Sequence, residues 1–280
     1  MNHPIMRYHG GKWRIAKWVI QHFPKHRVYV EPYGGAAGVL LQKPPSSAEV
    51  YNDLDGEIVN VFRVLRDRAL AERLVELCRF TPFARSELNL SQEQTEAPVE
   101  QARRTLLRAW ASFGSAGATR GNSGMRTFTR PDGVYLGVAH AWARVADAIP
   151  EFAERFRRVV IENRPAIDVM LQHDSKETLH YIDPPYLPET RSQGSSRYYR
   201  HEMTVEDHEE LLEAVRRLGG MVVMSGYDSV LYNNRLSGWT QFSLPTSGSS
   251  RMGSVSRTEC LWVSPRTAEQ QRQRDIFASA

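Results

Sequence analysis

Cysteine is nearly absent from this chain of 280 residues: Cys78 and Cys260 stand far apart, and neither has a second thiol nearby to build a disulfide framework or a CxxC metal site. That usage suits a reduced, cytoplasmic setting with both thiols buried and inert. Long apolar runs are missing too. None approaches the ~20 residues that span a bilayer, and the amino terminus carries Arg7, Lys12, Arg14 and Lys17 where a signal peptide needs an apolar core. The chain therefore reads as neither exported nor membrane-embedded. Nine histidines occur without HxH or HExxH spacing, so no metal is expected. With 41% hydrophobic and 24% charged residues, what remains is a folded, soluble protein of one large domain or two small ones.

Acidic residues are missing from two windows. Residues 1–27 hold six cations (Arg7, Lys12, Arg14, Lys17, Lys25, Arg27) and no Asp or Glu. Residues 101–131 hold Arg103, Arg104, Arg108, Arg120, Arg126 and Arg130, again without an acid. A net charge of +4 is modest, but clustered cations are what a polyphosphate partner selects, since each neutralised phosphate releases counterions. A solvated basic face fits the charge count equally well.

Hydrophobic patterning gives the architecture. Arg27 to Pro32 and Ala48 to Asn52 are short β-branched and aromatic runs ended by Pro, Gly or Asp, which reads as two buried strands. Helical patterns follow each, over Gly34 to Leu41 and over Asp55 to Arg68, the second behind an Asp55 cap. A βαβα opening implies a parallel sheet. Helical stretches at Leu70 to Phe80 and Val99 to Ala111 then lead into Ser112 to Gly133, which has five glycines, three arginines and little apolar periodicity. A loop that long within a compact domain suggests an insertion that performs recognition. Strand signals return at Arg158 to Glu162, Thr178 to Ile182, Gly220 to Ser225 and Thr258 to Val263, the last as an edge or hairpin strand. Thr204 to Leu218 is the clearest helix, with Thr204 and Asp207 as a capping box. Trp13, Trp18 and Trp110 read as core. A polar, frayed tail is expected from Thr267 onward.

Two segments carry chemistry. Glu31-Pro32-Tyr33-Gly34-Gly35-Ala36-Ala37-Gly38 turns a strand sharply through small residues, which allows close backbone approach to a ligand. Asp53, at the end of the next strand, suits both hydroxyls of a ribose, so an adenosine-containing cofactor is favoured over a purely structural turn. The GxGxxG pattern is not met. Asp183-Pro184-Pro185-Tyr186 ends a third strand. Prolines lack N–H groups and hold the chain extended, leaving carbonyls free to accept. An exocyclic aromatic amine is a poor nucleophile; the Asp183 carboxylate and the Pro184 carbonyl, drawing on its two hydrogens, would help it bear the developing charge while Tyr186 stacks on the base.

These residues together resemble a family, the DNA adenine-N6 methyltransferases of the Dam type (D12 class, alpha group), found in bacteria and phages. The resemblance runs over most of the chain. Arg7-Tyr8-His9-Gly10-Gly11-Lys12 is similar to the family's amino-terminal motif, Glu31 to Gly38 to its glycine motif, Asn52 to Asp55 to its acidic motif, and Asp183 to Tyr186 to its catalytic DPPY. Tyr199 to Leu211, Ser225 to Asp228 and Thr258 to Trp262 resemble further family segments. Where many relatives carry a glycine, this chain has Ala37.

The resemblance implies an α/β, Rossmann-like methyltransferase fold with a mixed, mostly parallel sheet. Residues 1–62 and 157–266 would form the catalytic domain, 63–156 a helical target-recognition insertion, and 267–280 the tail. It implies S-adenosylmethionine as cofactor, held by Tyr8, Lys12, Glu31, Pro32, Tyr33, Gly35, Asp53 and Asp183, and catalysis by Asp183, Pro184, Pro185 and Tyr186. Double-stranded DNA would be the partner, with Arg120, Arg126, Arg130 and Arg251 at bases or phosphates, the target adenine flipped out, and the enzyme at the nucleoid of a bacterial cell. Methylation of RNA adenine or of cytosine N4, and a DNA-binding protein that keeps the fold without activity, are the alternatives. Monomer and homodimer are both compatible with the sequence.

Overall fold

The computed structural model describes residues 1, 3–113, 117–120, 124–126, 137–190, 199–250 and 253–278; for 120, 247–250, 253–256 and 273–278 the description covers the backbone alone. Seven strands, β1 (Val28–Glu31), β2 (Ala48–Asn52), β3 (Val159–Glu162), β4 (Thr178–Ile182), β5 (Met221–Tyr227), β6 (Thr240–Ser250) and β7 (Gly253–Val263), form one sheet in the order β3-β2-β1-β4-β5-β7-β6. Pairings among β1 to β5 are parallel, and β7 runs antiparallel to both of its neighbours. This is the Rossmann-like architecture expected, with its mixed, mostly parallel sheet. The order reverses between β1 and β4, and such a switch point opens a crevice at the carboxyl ends of the strands.

Among the described residues, α-helices accompany the sheet at α1 (Ala16–Ile20), α2 (Gly56–Arg66), α3 (Arg68–Phe80), α4 (Arg85–Leu90), α5 (Pro98–Ala111), α6 (Gly117–Arg120), α7 (Val138–Ala143), α8 (Val145–Phe156), α9 (Ala166–Gln172), α10 (Val205–Arg217), α11 (Val230–Arg235) and α12 (Pro265–Ala278). Central strands are apolar on both faces, as parallel strands between two helical layers must be. Tyr29, Tyr51, Leu179 and Tyr181 point into a cluster with α2, α3, α5 and α8, whereas Ile182, Val222, Met224 and Trp262 face α10 and α11. Phe62, Leu106, Trp142 and Phe152 belong to the first cluster, so the helices of 63–156 share one continuous core with the sheet. No helix among the described residues is long and apolar enough to cross a membrane.

Caps set the helix starts. Asp55 accepts the Glu57 N–H at the head of α2, and Thr204 with Asp207 closes a capping box on α10. Two expectations are corrected. Gly34 to Leu41 is a succession of turns rather than a helix, because Gly35 (φ +47°) and Ala37 (φ +54°) take the left-handed region, which ends a right-handed helix. The tail from Thr267 is helical and anchored: Thr267 is fully buried, and its hydroxyl receives the Val222 N–H at 2.8 Å and donates to the Val222 carbonyl at 3.1 Å. The strand at Thr258 to Val263 is part of β7, the second strand of a hairpin with β6, as its late position suggests; β6, which the apolar pattern does not reveal, is the edge.

Candidate active site

The ends of β1 and β2 are stitched together backbone to side chain. Asn52 donates through Nδ2 to the carbonyls of Pro32 (2.8 Å) and Arg164 (3.0 Å), and the Tyr51 hydroxyl donates to the Gly35 carbonyl at 2.7 Å. Asp53 then receives the Gly35 N–H on one oxygen and the Asp55 N–H on the other, each at 2.8 Å. Burial pushes its carboxyl up to about 6 against those two N–H groups. Small residues are obligatory in the turn. A Cβ on Gly34 would lie 2.1 Å from the Tyr51 ring, and one on Gly35 2.6 Å from the Tyr8 ring. Tyr8 in turn stands against Tyr199, with ring centroids 6.3 Å apart. Between these groups lies a cavity of about 800 Å³, within the usual range for cofactor sites.

Glu31 closes the cavity floor. Its Oε2 takes the Tyr29 hydroxyl at 2.6 Å and the Leu40 N–H at 3.0 Å, and burial lifts its carboxyl to about 8. At the end of β4, the Lys12 ammonium meets Asp183, 2.8 Å from Oδ1 and 2.9 Å from Oδ2, and also donates to the Gly10 carbonyl at 2.7 Å. Oδ1 of Asp183 is buried and has no hydrogen-bond donor aligned on it. Burial opposes the charge on Lys12, but Asp183 and Glu259 outweigh it and raise its pKa above lysine's ordinary value. Burial likewise raises Asp183, with Lys12 partly offsetting it. Tyr186 is buried behind these groups. Its hydroxyl donates to Glu259, its ring meets Tyr227 edge-on at 4.6 Å, and Lys12 sits 4.7 Å from the ring centroid.

One wall of the cavity comes from residues 199–204, beyond the tetrapeptide Asp183 to Tyr186 in sequence. Arg200 fastens this wall, donating to Glu57 at 2.7 Å. The other oxygen of Glu57 is bonded by Arg108 of α5. Burial pushes the Glu57 carboxyl upward, yet the two guanidiniums hold it down at about 2. Glu57 thus ties the cavity wall to α5.

Against known proteins, the family model described as "D12 class N6 adenine-specific DNA methyltransferase" matches residues 8–244. The chain belongs to that family. Among curated relatives of this D12 methyltransferase, it is similar to the DNA adenine methylase of Escherichia coli K12, 25% identical over 244 residues that cover 82% of each chain. It is similar also to the type II methyltransferase M1.LlaDCHI of Lactococcus lactis subsp. cremoris, 24% identical over 248 residues covering 81% of this chain and 82% of that one.

In this D12 methyltransferase all eight positions read from the sequence as cofactor ligands border the same cavity. Tyr8 and Lys12 come from the amino-terminal segment, Glu31, Pro32, Tyr33 and Gly35 from the end of β1, Asp53 from the end of β2 and Asp183 from the end of β4. Pro185 borders it as well, whereas Pro184 and Tyr186 are buried behind it. Among the arginines read as DNA contacts, Arg126 lies beside an antiparallel bridge between Ser112 and Met125, its N–H donating to the Ala111 carbonyl at 2.7 Å. Burial and the like charges of Arg126 and Arg14 lower the Arg7 guanidinium to about 10, and among the described residues Nη1 of Arg7 has no hydrogen-bond partner. Arg120 ends α6, described in its backbone alone; Arg130 and Arg251 lie outside the described residues. The acid-free window on α5 is a correction. Arg103 pairs with Glu87 and Glu100, Arg104 with Glu100 and Arg108 with Glu57, so this half is neutralised inside the protein. Among the described residues no group of three or more His, Cys, Asp or Glu is placed to hold a metal. Sequence reasoning missed Glu57, Arg200 and Glu259; Glu259 and Arg200 lie in segments resembling the family, but their acid–base partners are remote in sequence.

Proposed function

We propose that this chain methylates N6 of an adenine rotated out of duplex DNA, with S-adenosylmethionine as the methyl donor. One observation supports the reading above the others: Asp183 borders a cavity sized for a nucleoside, and its carboxylate is held there by the Lys12 ammonium, 2.8 and 2.9 Å from its two oxygens. A carboxylate so placed is a preorganised acceptor for an amine that enters the cavity.

The cofactor fits the residues. Asp53 spends one lone pair of each oxygen on backbone N–H groups and keeps the rest for two ribose hydroxyls, while the Tyr8 ring and the glycines it rests on leave room for a flat base. When bound, S-adenosylmethionine supplies a sulfonium methyl, an electrophile that needs no further activation. The chain's residues act on the amine. Asp183 accepts one of its hydrogens and the Pro184 carbonyl the other, so that nitrogen bears positive charge more easily as the new bond forms. Asp183 then takes the surplus proton from N6, a role its raised pKa favours.

Extruding a base costs a few kcal/mol, and cationic contacts to the DNA backbone supply part of it. Arg7, with the like charges of Arg126 and Arg14 acting on it, fits that task. Such an enzyme works at the DNA of a bacterial or phage-infected cytoplasm. Long-read sequencing of DNA from cells expressing the chain tests the proposal. N6-methyladenine in a fixed sequence context is the expected result; unmodified adenine, or methyl groups on cytosine, would overturn it.

A further inference from the structure

Charge crowds the point where the adenine amine is to react: Asp183 and Glu259 share a buried cation, Lys12, and Glu31 lies close enough to Asp183 to feel its charge. Lys12 is only 6% exposed, and Glu259 also 6%. Lys12 is bonded to Asp183, while Oε1 of Glu259 stands 3.6 Å from the same nitrogen, just outside hydrogen-bond reach. Glu259 holds its place through the Tyr186 hydroxyl, and β7 pairs it with Tyr227 of β5. The ammonium thus stands against Asp183, where an amine donor is meant to bind, and covers one face of the Tyr186 ring.

Building on the methylation reading above, we infer that Glu259 is a positioning residue that takes Lys12 from Asp183 when the adenine amino group arrives. Two donors crowd each other on one carboxylate, and a paired ammonium cancels the field that Asp183 must exert on a nitrogen becoming positive. A shift of under an ångström brings Lys12 onto Glu259, and its charge stays compensated there. In a buried site this matters, because an unpaired ion is far more costly than a re-paired one. No bond forms or breaks in the exchange; it is a change of hydrogen-bond partner.

Glu259→Gln separates this role from support of the Tyr186 ring, since glutamine still accepts the tyrosine hydroxyl but carries no charge to draw the ammonium. We expect kcat to fall on the order of 100-fold, the scale of losing one preorganised electrostatic contact, with dissociation constants for cofactor and DNA within about threefold of wild type. In a Lys12→Met background there is nothing left to hand over, so Lys12→Met/Glu259→Gln is expected to be no slower than Lys12→Met alone. The wild-type protein supplies a readout free of folding effects. In its crystal structure with a non-reactive amine analogue of the cofactor and an adenine-containing duplex, Lys12 Nζ should be nearer to Glu259 than to Asp183. An unimpaired Glu259→Gln enzyme, multiplying defects in the double variant, or Lys12 still bonded to Asp183 in that complex would each overturn the inference while leaving wild-type methylation intact. Absence of N6-methyladenine from the wild-type reaction overturns the functional reading itself.

Discussion

Lys12 and Asp183, 171 positions apart in sequence, form a buried ion pair in which one ammonium lies within 2.9 Å of both carboxylate oxygens. The pair brings the amino-terminal motif to the DPPY tetrapeptide and stores a charged acceptor at the end of β4. Asp183→Ala removes that acceptor and leaves Lys12 to Glu259. Methyl transfer is expected to fall by at least about 100-fold, the cost of losing one preorganised group at a developing charge. Duplex affinity should change little, because the guanidiniums of Arg7, Arg14 and Arg126 are untouched. A filter assay with labelled methyl donor, run beside a fluorescence-anisotropy titration, checks both halves; turnover within tenfold of wild type would remove the proposed acceptor.

Asp53 gives the site a pH dependence. Its carboxyl is raised to about 6, so it is ionised above that value and protonated below. An ionised Asp53 accepts from ribose hydroxyls at both oxygens, whereas a protonated one must donate from one of them. Cofactor affinity is therefore expected to hold between pH 7 and 8 and weaken as pH falls through about 6. Asp53→Asn should bind the cofactor roughly 10- to 100-fold more weakly, the value of hydrogen bonds to a charged group, and lose the acid limb. Isothermal titration calorimetry across pH 5 to 8 measures both; a wild-type affinity independent of pH would show that Asp53 does not face the ribose.

Much of this site was legible because its residues lie at strand ends. Short apolar runs closed by Pro, Gly or Asp locate β1, β2 and β4, and the residues just beyond each run face the crevice where the strand order reverses. Ala37 explains the helix that is not there. Composition suggests a helix over Gly34 to Leu41, but the turn takes two left-handed residues, Gly35 and Ala37, and is packed against the Tyr8 and Tyr51 rings, which only three-dimensional packing reveals. Glu259 was invisible as a functional group because its partners lie 73 and 247 positions away. The neutralised arginines of α5 carried a readable warning. Glu100, one residue before the acid-free window, is three and four positions from Arg103 and Arg104, the spacing at which helical side chains pair.

Ala37 carries backbone strain at the centre of the cofactor turn. At φ +54° and fully buried, it pays about 1–2 kcal/mol for the left-handed conformation. Glycine removes that strain but loses one buried methyl and gains unfolded-state entropy, each worth roughly 0.5–1 kcal/mol. Ala37→Gly is therefore expected to leave stability within about 1 kcal/mol of wild type by these opposing terms. Ala37→Val adds a β-branched side chain to a left-handed position and should destabilise by more than about 2 kcal/mol, through backbone strain and overpacking together. Urea unfolding of the three proteins measures the series; a valine variant as stable as wild type would show that the turn relaxes without cost.

The positive charge of Arg126 acts on the Arg7 guanidinium, a placement that costs the free protein stability through like-charge repulsion. A phosphate oxygen accepts from two guanidiniums at once and relieves that repulsion, so the pair should be worth more to DNA binding than two isolated surface arginines. Arg126→Ala is expected to weaken duplex binding for target and non-target sequences alike and to reduce the slope of log Kd against log salt by about 1, the signature of one lost phosphate contact. The same change lifts the like charge from Arg7, so the folded protein should be as stable as wild type or more so. Anisotropy titrations from 50 to 300 mM salt on both duplexes, with a thermal melt of the free protein, measure these effects. If Arg126 instead reads a base, the variant will lose discrimination between target and non-target while its salt slope stays near the wild-type value.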